Sequence, residues 1–252
     1  MGNLDEKVAL VTGSSRGIGA SIARLFASEG AAVVLHGRDS AALAVVRGGI
    51  EKTGARTIAI AAELTSLAEI EAMRHKIELE LGVVDILVAN AGGAVARPVP
   101  FEEIDVEAWR TSIDDNLLST FLTLKAFLPG MKTRRAGNII TMSSAAARRA
   151  HEMSPVAYSA AKAGVQILTQ HVAKQVGPFG VRVNCIAPEA ILTDRNDERM
   201  PREVQKRLAD EHPLRRLGTP EDVARAALFL AFDHSSWITG IVLDVAGGAV
   251  MP

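Results

Sequence analysis

Tyr158 and Lys162 stand four residues apart in Tyr158-Ser159-Ala160-Ala161-Lys162. That spacing sets both side chains on one face of a helix. An isolated tyrosine titrates near pH ~10 and is a weak acid–base catalyst at neutrality. An ammonium held beside it favours the phenolate and lowers that value, so the pair predicts proton transfer at a substrate oxygen. Ser144 offers a hydroxyl to the same oxygen. Taken alone, Tyr-x-x-x-Lys describes an ordinary helix surface pair equally well. The elements that carry it decide between the two.

Short apolar runs recur along the chain, each ending in or followed by Gly, Asn, Ser or Pro and then a helical pattern. They are Val8–Val11, Ala32–Leu35, Thr57–Ala61, Asp85–Ala89, Asn138–Met142, Val181–Ile186 and Ile241–Val245. Their near-continuous hydrophobicity, without alternation, predicts strands covered on both faces, as in a parallel sheet. Between them, Ser21–Gly30 carries Ile22, Ala23, Leu25 and Phe26 at helical spacing and stops on Gly30. Pro220-Glu221-Asp222 opens a later helix with Thr219 as its N-cap. Repeated strand–helix units with right-handed crossovers build an α/β, Rossmann-type doubly wound sheet of about seven parallel strands, helices on both faces, in a single domain over residues 1–252. Such sheets bind ligands at the carboxyl ends of their strands, where strand order reverses.

Directly after the first run comes Thr12-Gly13-Ser14-Ser15-Arg16-Gly17-Ile18-Gly19. Glycines there permit a tight turn and let backbone N–H groups approach a pyrophosphate at a helix N-terminus. The spacing is Gly-x-x-x-Gly-x-Gly, and its place between strand and helix makes it a strong signal.

The chain resembles the single-domain short-chain dehydrogenase/reductases, from Lys7 to the C-terminus. The matching motifs are Thr12-Gly13…Gly17-Ile18-Gly19, Asn90-Ala91-Gly92, Asn116 after Trp109, Ser143-Ser144, Tyr158…Lys162, Asn184-Cys185-Ile186-Ala187-Pro188 and Gly247-Gly248. The resemblance implies hydride transfer between a nicotinamide cofactor and a ketone or secondary alcohol. It assigns Tyr158 as general acid in reduction and general base in the reverse direction, with Lys162 lowering its pKa and holding the nicotinamide ribose. Ser144 polarises the carbonyl, and Asn116 positions a water of a proton relay. Strand alternation lets only one of Ser143 and Ser144 face the site, and the family favours Ser144. Pro188, Ile191 and Thr193 are expected over the nicotinamide and a phosphate. Glu63 stands where the family usually has Asp and is expected, with Leu64, by the adenine.

Cofactor choice turns on the end of the second strand. An acid there binds the ribose hydroxyls of NAD and repels a 2′-phosphate. Here it reads His36-Gly37-Arg38, and Arg16 adds a second guanidinium, which predicts NADP(H). Asp39 is the counter-evidence, read as the cap of a helix from Ser40.

The expected substrate pocket takes Gly93, Ala145, His151, Met153 and Glu189, with residues 189–212 as either a mobile lid or a solvated helix pair. Glu189 replaces a glycine usual in the family, Ala147 another, and Ala246 an aspartate. A narrower reading, 3-oxoacyl-[acyl-carrier-protein] reductase, gives Lys132, Arg134 and Arg135 an acidic carrier to meet, although a solvated turn explains them too. A reading of a different class, a non-catalytic NADP sensor on the same fold, is opposed by retention of all four catalytic residues. Family members form homotetramers through the helices after Asn116 and Tyr158, and the apolar stretches Leu117–Leu128 and Val165–Val176 suit that.

The 252 residues are 48% hydrophobic and 23% charged with a formal net charge of −1, which lacks the basic excess of a nucleic-acid binder. The start, Met1 to Lys7, is charged and has no apolar signal segment, and no apolar run reaches the ~20 residues of a membrane span. A cytoplasmic protein is expected, with small-molecule substrates, no nucleic-acid or membrane partner and no metal. The single cysteine, Cys185, is read as structural.

Overall fold

The computed structural model describes residues 4–251; Met1 to Asn3, part of the charged start read above, lie outside them. Seven strands form one all-parallel sheet: β1 Val8–Val11, β2 Ala32–His36, β3 Thr57–Ile60, β4 Ile86–Ala89, β5 Gly137–Met142, β6 Val181–Pro188 and β7 Val242–Val245. Their spatial order is β3-β2-β1-β4-β5-β6-β7, so the order reverses between β1 and β4. Every apolar run of the sequence is a strand, β1 with the same ends and the others with an end shifted by one or two residues.

The helices are α1 Gly17–Ser28, α2 Ser40–Glu51, α3 Leu67–Glu80, α4 Val106–Ile113, α5 Ser119–Arg134, α6 Val156–Val176, α7 Asp194–Arg199, α8 Arg202–Glu211 and α9 Pro220–Ala231. A single π turn, Asp114–Leu118, joins α4 to α5. Strand alternation divides the core in two. Ala9, Val11, Val33 and Leu35 pack with Ile22 and Phe26 of α1 and Val223 and Leu230 of α9. Val8, Leu10, Val34 and Leu87 face the other way, onto Ile70 of α3 and Phe127 of α5. Both faces of the sheet are therefore dry, which is why the strands read as unbroken hydrophobic runs.

Two boundaries carry consequences. Helix α1 begins four residues earlier than the sequence pattern suggested, on Gly17, because the glycine motif itself forms the first turn. Gly30, with φ +96°, does end that stretch. Thr219 caps α9 as expected, in a reciprocal box with the Asp222 side chain. The polar stretch after Thr193 is a pair of helices, α7 and α8. Among the described residues no helix is long and apolar enough to cross a membrane, and no cluster of side chains could hold a metal ion.

Candidate active site

At the switch point the carboxyl ends of β1 and β4 are tied together by Thr12 and Asn90. The Thr12 hydroxyl accepts from the Asn90 and Ala91 N–H groups, both at 3.0 Å. The Asn90 amide donates back to the carbonyls of Thr12 at 2.9 Å and Gly13 at 3.2 Å. Space for this crossing exists only without side chains: a Cβ on Gly13 would stand 2.9 Å from Ala91 Cα, and one on Gly19 would run into the Gly13 carbonyl. Gly13 also holds φ +64°, a conformation that favours glycine.

A cleft of ≈ 940 Å³ opens above this junction. Its walls include Gly13, Ser15, Arg16, Gly17, Ile18 and Gly19 of the loop, Arg38 after β2, Asn90, Gly92 and Gly93 after β4, Tyr158 and Lys162 of α6, and Thr193. Asp39, Ala42, Ala94, Asp194, Arg195, Asn196 and Glu198 complete it, with only Asp39 singled out by the sequence reading. No side chain caps α1, so its first-turn amides face the cleft. Uncapped amides, a wall of glycines and two guanidiniums fit a dinucleotide pyrophosphate.

Other expected residues lie outside the lining. Glu63 faces Arg38 at 3.9 Å, while Leu64 and Ile191 are buried in the core and Pro188 ends β6 within the sheet. Asp39 has two engagements. It caps α2 through the Ala42 N–H at 3.0 Å, and its other oxygen meets the Arg16 guanidinium at 2.7 Å.

Tyr158 and Lys162 share a helix face, the Lys162 Nζ lying 5.8 Å from the Tyr158 ring centre. Burial raises the Tyr158 phenol above its ordinary pKa, and the neighbouring Ser144 hydroxyl pulls it back down. Lys162 is buried, donates to the Met142 carbonyl at 2.8 Å, and is lowered by desolvation to about 8. The ammonium is turned to the Met142 carbonyl, and the burial of the phenol favours its protonated form.

Ser143 points away from the cleft. Its hydroxyl donates to the Lys162 carbonyl at 2.8 Å and accepts from Gln166 at 3.0 Å, leaving Ser144 to face Tyr158. Asn116 is fully buried in the π turn. Its amide oxygen accepts from the Gly93 N–H at 2.9 Å, and its NH2 donates to Gly93 and Ser112 carbonyls at 3.2 and 2.9 Å. Its side chain thus braces the loop after β4, a role the sequence did not suggest.

Ala145 is buried behind Ser144. Met153 Sδ lies 3.8 Å from Arg207 of α8, which also reaches Glu152 at 3.6 Å, so α8 touches the loop carrying His151. Glu189 pairs with Arg149 at 2.6 Å, its second oxygen buried without a partner. Lys132, Arg134 and Arg135 precede β5 and so lie at the amino end of the sheet, away from the cleft. Lys132 sits 4.3 Å from the Phe179 ring centre, and the two arginines bond the Val84 and Pro178 carbonyls. Both arginines are exposed, as the solvated-turn reading expects.

The sheet order and glycine loop place the chain among the doubly wound nucleotide-binding α/β proteins. A family model described as enoyl-(acyl carrier protein) reductase matches residues 13–250. The 7α-hydroxysteroid dehydrogenase of Escherichia coli K12 is 36% identical over 247 residues, covering 98% of this chain and 95% of the relative. A 3-oxoacyl-[acyl-carrier-protein] reductase of Chlamydia muridarum is 38% identical over 250 residues, covering 97% and 98%. A solved 7α-hydroxysteroid dehydrogenase complexed with NADH and 7-oxo glycochenodeoxycholic acid superposes with a TM-score of 0.93 at 36% identity, over 99% of this chain and 96% of that one. The chain belongs to the short-chain dehydrogenase/reductase family. It is an oxidoreductase acting on hydroxyl and carbonyl groups.

Proposed function

We propose that the chain is an NADPH-dependent ketone reductase, reversible as a secondary-alcohol dehydrogenase, with Tyr158 as its proton donor. The observation that carries this is the cleft itself: Tyr158, Lys162 and the glycine loop line one wall-to-wall space, with Ser144 beside the phenol. When bound, the nicotinamide dinucleotide supplies the hydride. Gly13, Ser15, Gly17, Ile18 and Gly19 would hold its phosphates, with Asn90, Gly92 and Thr193 beside them.

Tyr158 then gives its phenolic proton to the carbonyl oxygen as that oxygen gains charge. A phenol kept protonated by burial suits that direction of transfer. Ser144 donates a hydrogen bond to the same oxygen, and Lys162 would hold the nicotinamide ribose and pass a proton back to the phenolate. Asn116 keeps Gly92 and Gly93 in place at the cleft wall. Tyr158→Phe tests the assignment: turnover falls by roughly 10²–10⁴ with NADPH affinity nearly intact, and retention of more than a few per cent of the rate would sink it.

The preference for NADP(H) rests on Arg38, whose side chain is 74% exposed at the cleft, and on Asp39, whose charge is occupied by Arg16. The narrower 3-oxoacyl reductase reading is favoured by relatives and solved structures of that name, the Chlamydia muridarum reductase among them. Turnover of an acetoacetyl thioester but not of a bulky aryl ketone would support it. Homotetramer assembly belongs to the same reading. Phe121, Leu128 and Leu168 line an apolar groove of ≈ 740 Å³ between α5 and α6, and light scattering tests whether a second copy covers it. So does a cytoplasmic location, which the single buried thiol of Cys185 suits.

A further inference from the structure

His36 ends β2 beneath the glycine loop and is buried, with 3% of its surface exposed. Its two ring nitrogens have different, fixed duties. Nδ1 accepts from the Gly13 N–H at 3.2 Å, and a backbone amide can only donate, so Nδ1 carries no proton. Nε2 therefore holds the ring hydrogen and donates it to the Ala62 carbonyl at 3.0 Å. The neutral Nε2–H tautomer is imposed by its partners on both sides.

Ser14 supplies the remaining stitches. Its N–H donates to the His36 carbonyl at 2.8 Å, and its hydroxyl accepts from the His36 N–H at 3.0 Å. Those bonds are indifferent to the ring's charge. The Gly13 bond is not: a proton on Nδ1 would set one N–H against another at the residue with the left-handed turn.

We propose that His36 is a proton-operated latch on the glycine loop, closed while Nδ1 accepts from Gly13 and opened when the ring is protonated, with weaker dinucleotide binding as the result. The inference rests on reading that loop as the dinucleotide cradle. Burial favours the neutral ring and lowers its pKa, which keeps the latch closed near neutrality. The charged groups around it pull both ways. Glu63, next to Ala62 past the end of β3, favours the proton, and Arg38, after β2, opposes it. Arg16 of the loop and Asp39 at the start of α2 face each other across the cleft and offset one another.

His36→Gln separates the latch from the anchor. Its amide oxygen can accept from Gly13 and its NH2 can donate to Ala62, but it does not titrate. NADPH affinity is measured for both proteins by nucleotide fluorescence from about pH 7.5 down to about 4.5, a window that reaches below the ordinary range of a histidine because burial lowers this one. Comparing the two at each pH cancels titration of the nucleotide's own phosphate. Near pH ~7.5 the variant binds like the wild type, and as the pH falls towards ~4.5 the wild type loses progressively more affinity than the variant, by up to roughly tenfold. Parallel profiles would overturn the latch.

A second measurement does not depend on cofactor. In the protein alone, imidazole nitrogen shifts of His36 report the Nε2–H tautomer, and the Gly13 amide signal moves with His36 protonation. A Gly13 amide that ignores the His36 titration overturns the proposal even if NADPH binds. If NADPH fails to bind at any pH while the amide follows the ring, the cradle reading has failed and the latch has not.

Discussion

The Lys162 ammonium donates to the Met142 carbonyl at 2.8 Å, tying α6 to the carboxyl end of β5 one turn from Tyr158. The bond holds a charge in a nearly dry position, and that desolvation drops the lysine from 10.5 to about 8. A lowered lysine means that the unfolded chain binds more protons between those two values. Stability therefore rises with pH across that window, and the full cost of the buried charge is present below it.

Lys162→Met removes the titrating group at similar volume. Its stability relative to the wild type should fall by roughly 3 kcal/mol as the pH rises from neutrality through the window between 8 and 10.5. Urea unfolding of both proteins across that range measures it. A constant difference between the two would show that the lysine is not charged and buried in the folded protein.

Ser143 and Ser144 are adjacent and should fail in opposite ways. Ser143 is buried between the Lys162 carbonyl and Gln166, so Ser143→Ala leaves polar groups unpaired and costs about 1–3 kcal/mol of stability. Ser144 faces Tyr158 and caps only the short turn after β5, so Ser144→Ala lowers kcat with a small change in Tm. If Ser143→Ala lost activity and kept stability, the facing of the two serines would be reversed.

The pattern of hydrophobicity exposed most of this fold before any coordinate did. Val8–Val11 and Ile139–Ile140 read as buried strands because both of their faces are covered, and the glycine motif sat where a turn must. The site was less legible where its parts come from contacts between distant residues. The Gly13–His36 bond spans 23 positions and follows no local motif. The π turn at Asn116 leaves no signature in periodicity, since its residues look like helix on either side. The sequence pattern starts α1 late, at Ser21, because Gly17 and Gly19 have poor helix propensity, yet their bare amides are what that first turn presents. The basic run before β5 is at the surface, as a solvated turn would be, but the Val84 and Pro178 carbonyls that its arginines bond are not visible in sequence.

Arg38 and Asp39 set the cofactor prediction. Arg38→Leu should weaken NADPH binding about 10- to 100-fold, as loss of a charged hydrogen bond to phosphate does, and change NADH binding little. Asp39→Asn retains a capping side chain for α2 while removing the charge that occupies Arg16, so NADPH affinity should rise. Fluorescence titrations with both nucleotides decide it. Tighter NADH than NADPH binding by the wild type would reverse the preference proposed here.

Glu189 and Arg149 join the loop after Ser144 to the segment after β6 at 2.6 Å, and the carboxylate keeps a second, buried oxygen unpartnered. Removing the arginine strands that carboxylate, whereas removing both residues strands nothing. Arg149→Ala should therefore cost about 1–3 kcal/mol, the half-exposed guanidinium keeping the loss below that of a fully buried pair, and the double variant Arg149→Ala/Glu189→Ala should recover part of it. The same loop carries Ser144 and His151, so Arg149→Ala should also raise KM for the ketone more than for NADPH. Chemical unfolding of the two single variants and the double closes the cycle. Additive losses would show that the pair does not hold the two segments together, and the substrate-side wall would then have to be kept in place by the bond of Arg148 to Asp244 at 2.8 Å.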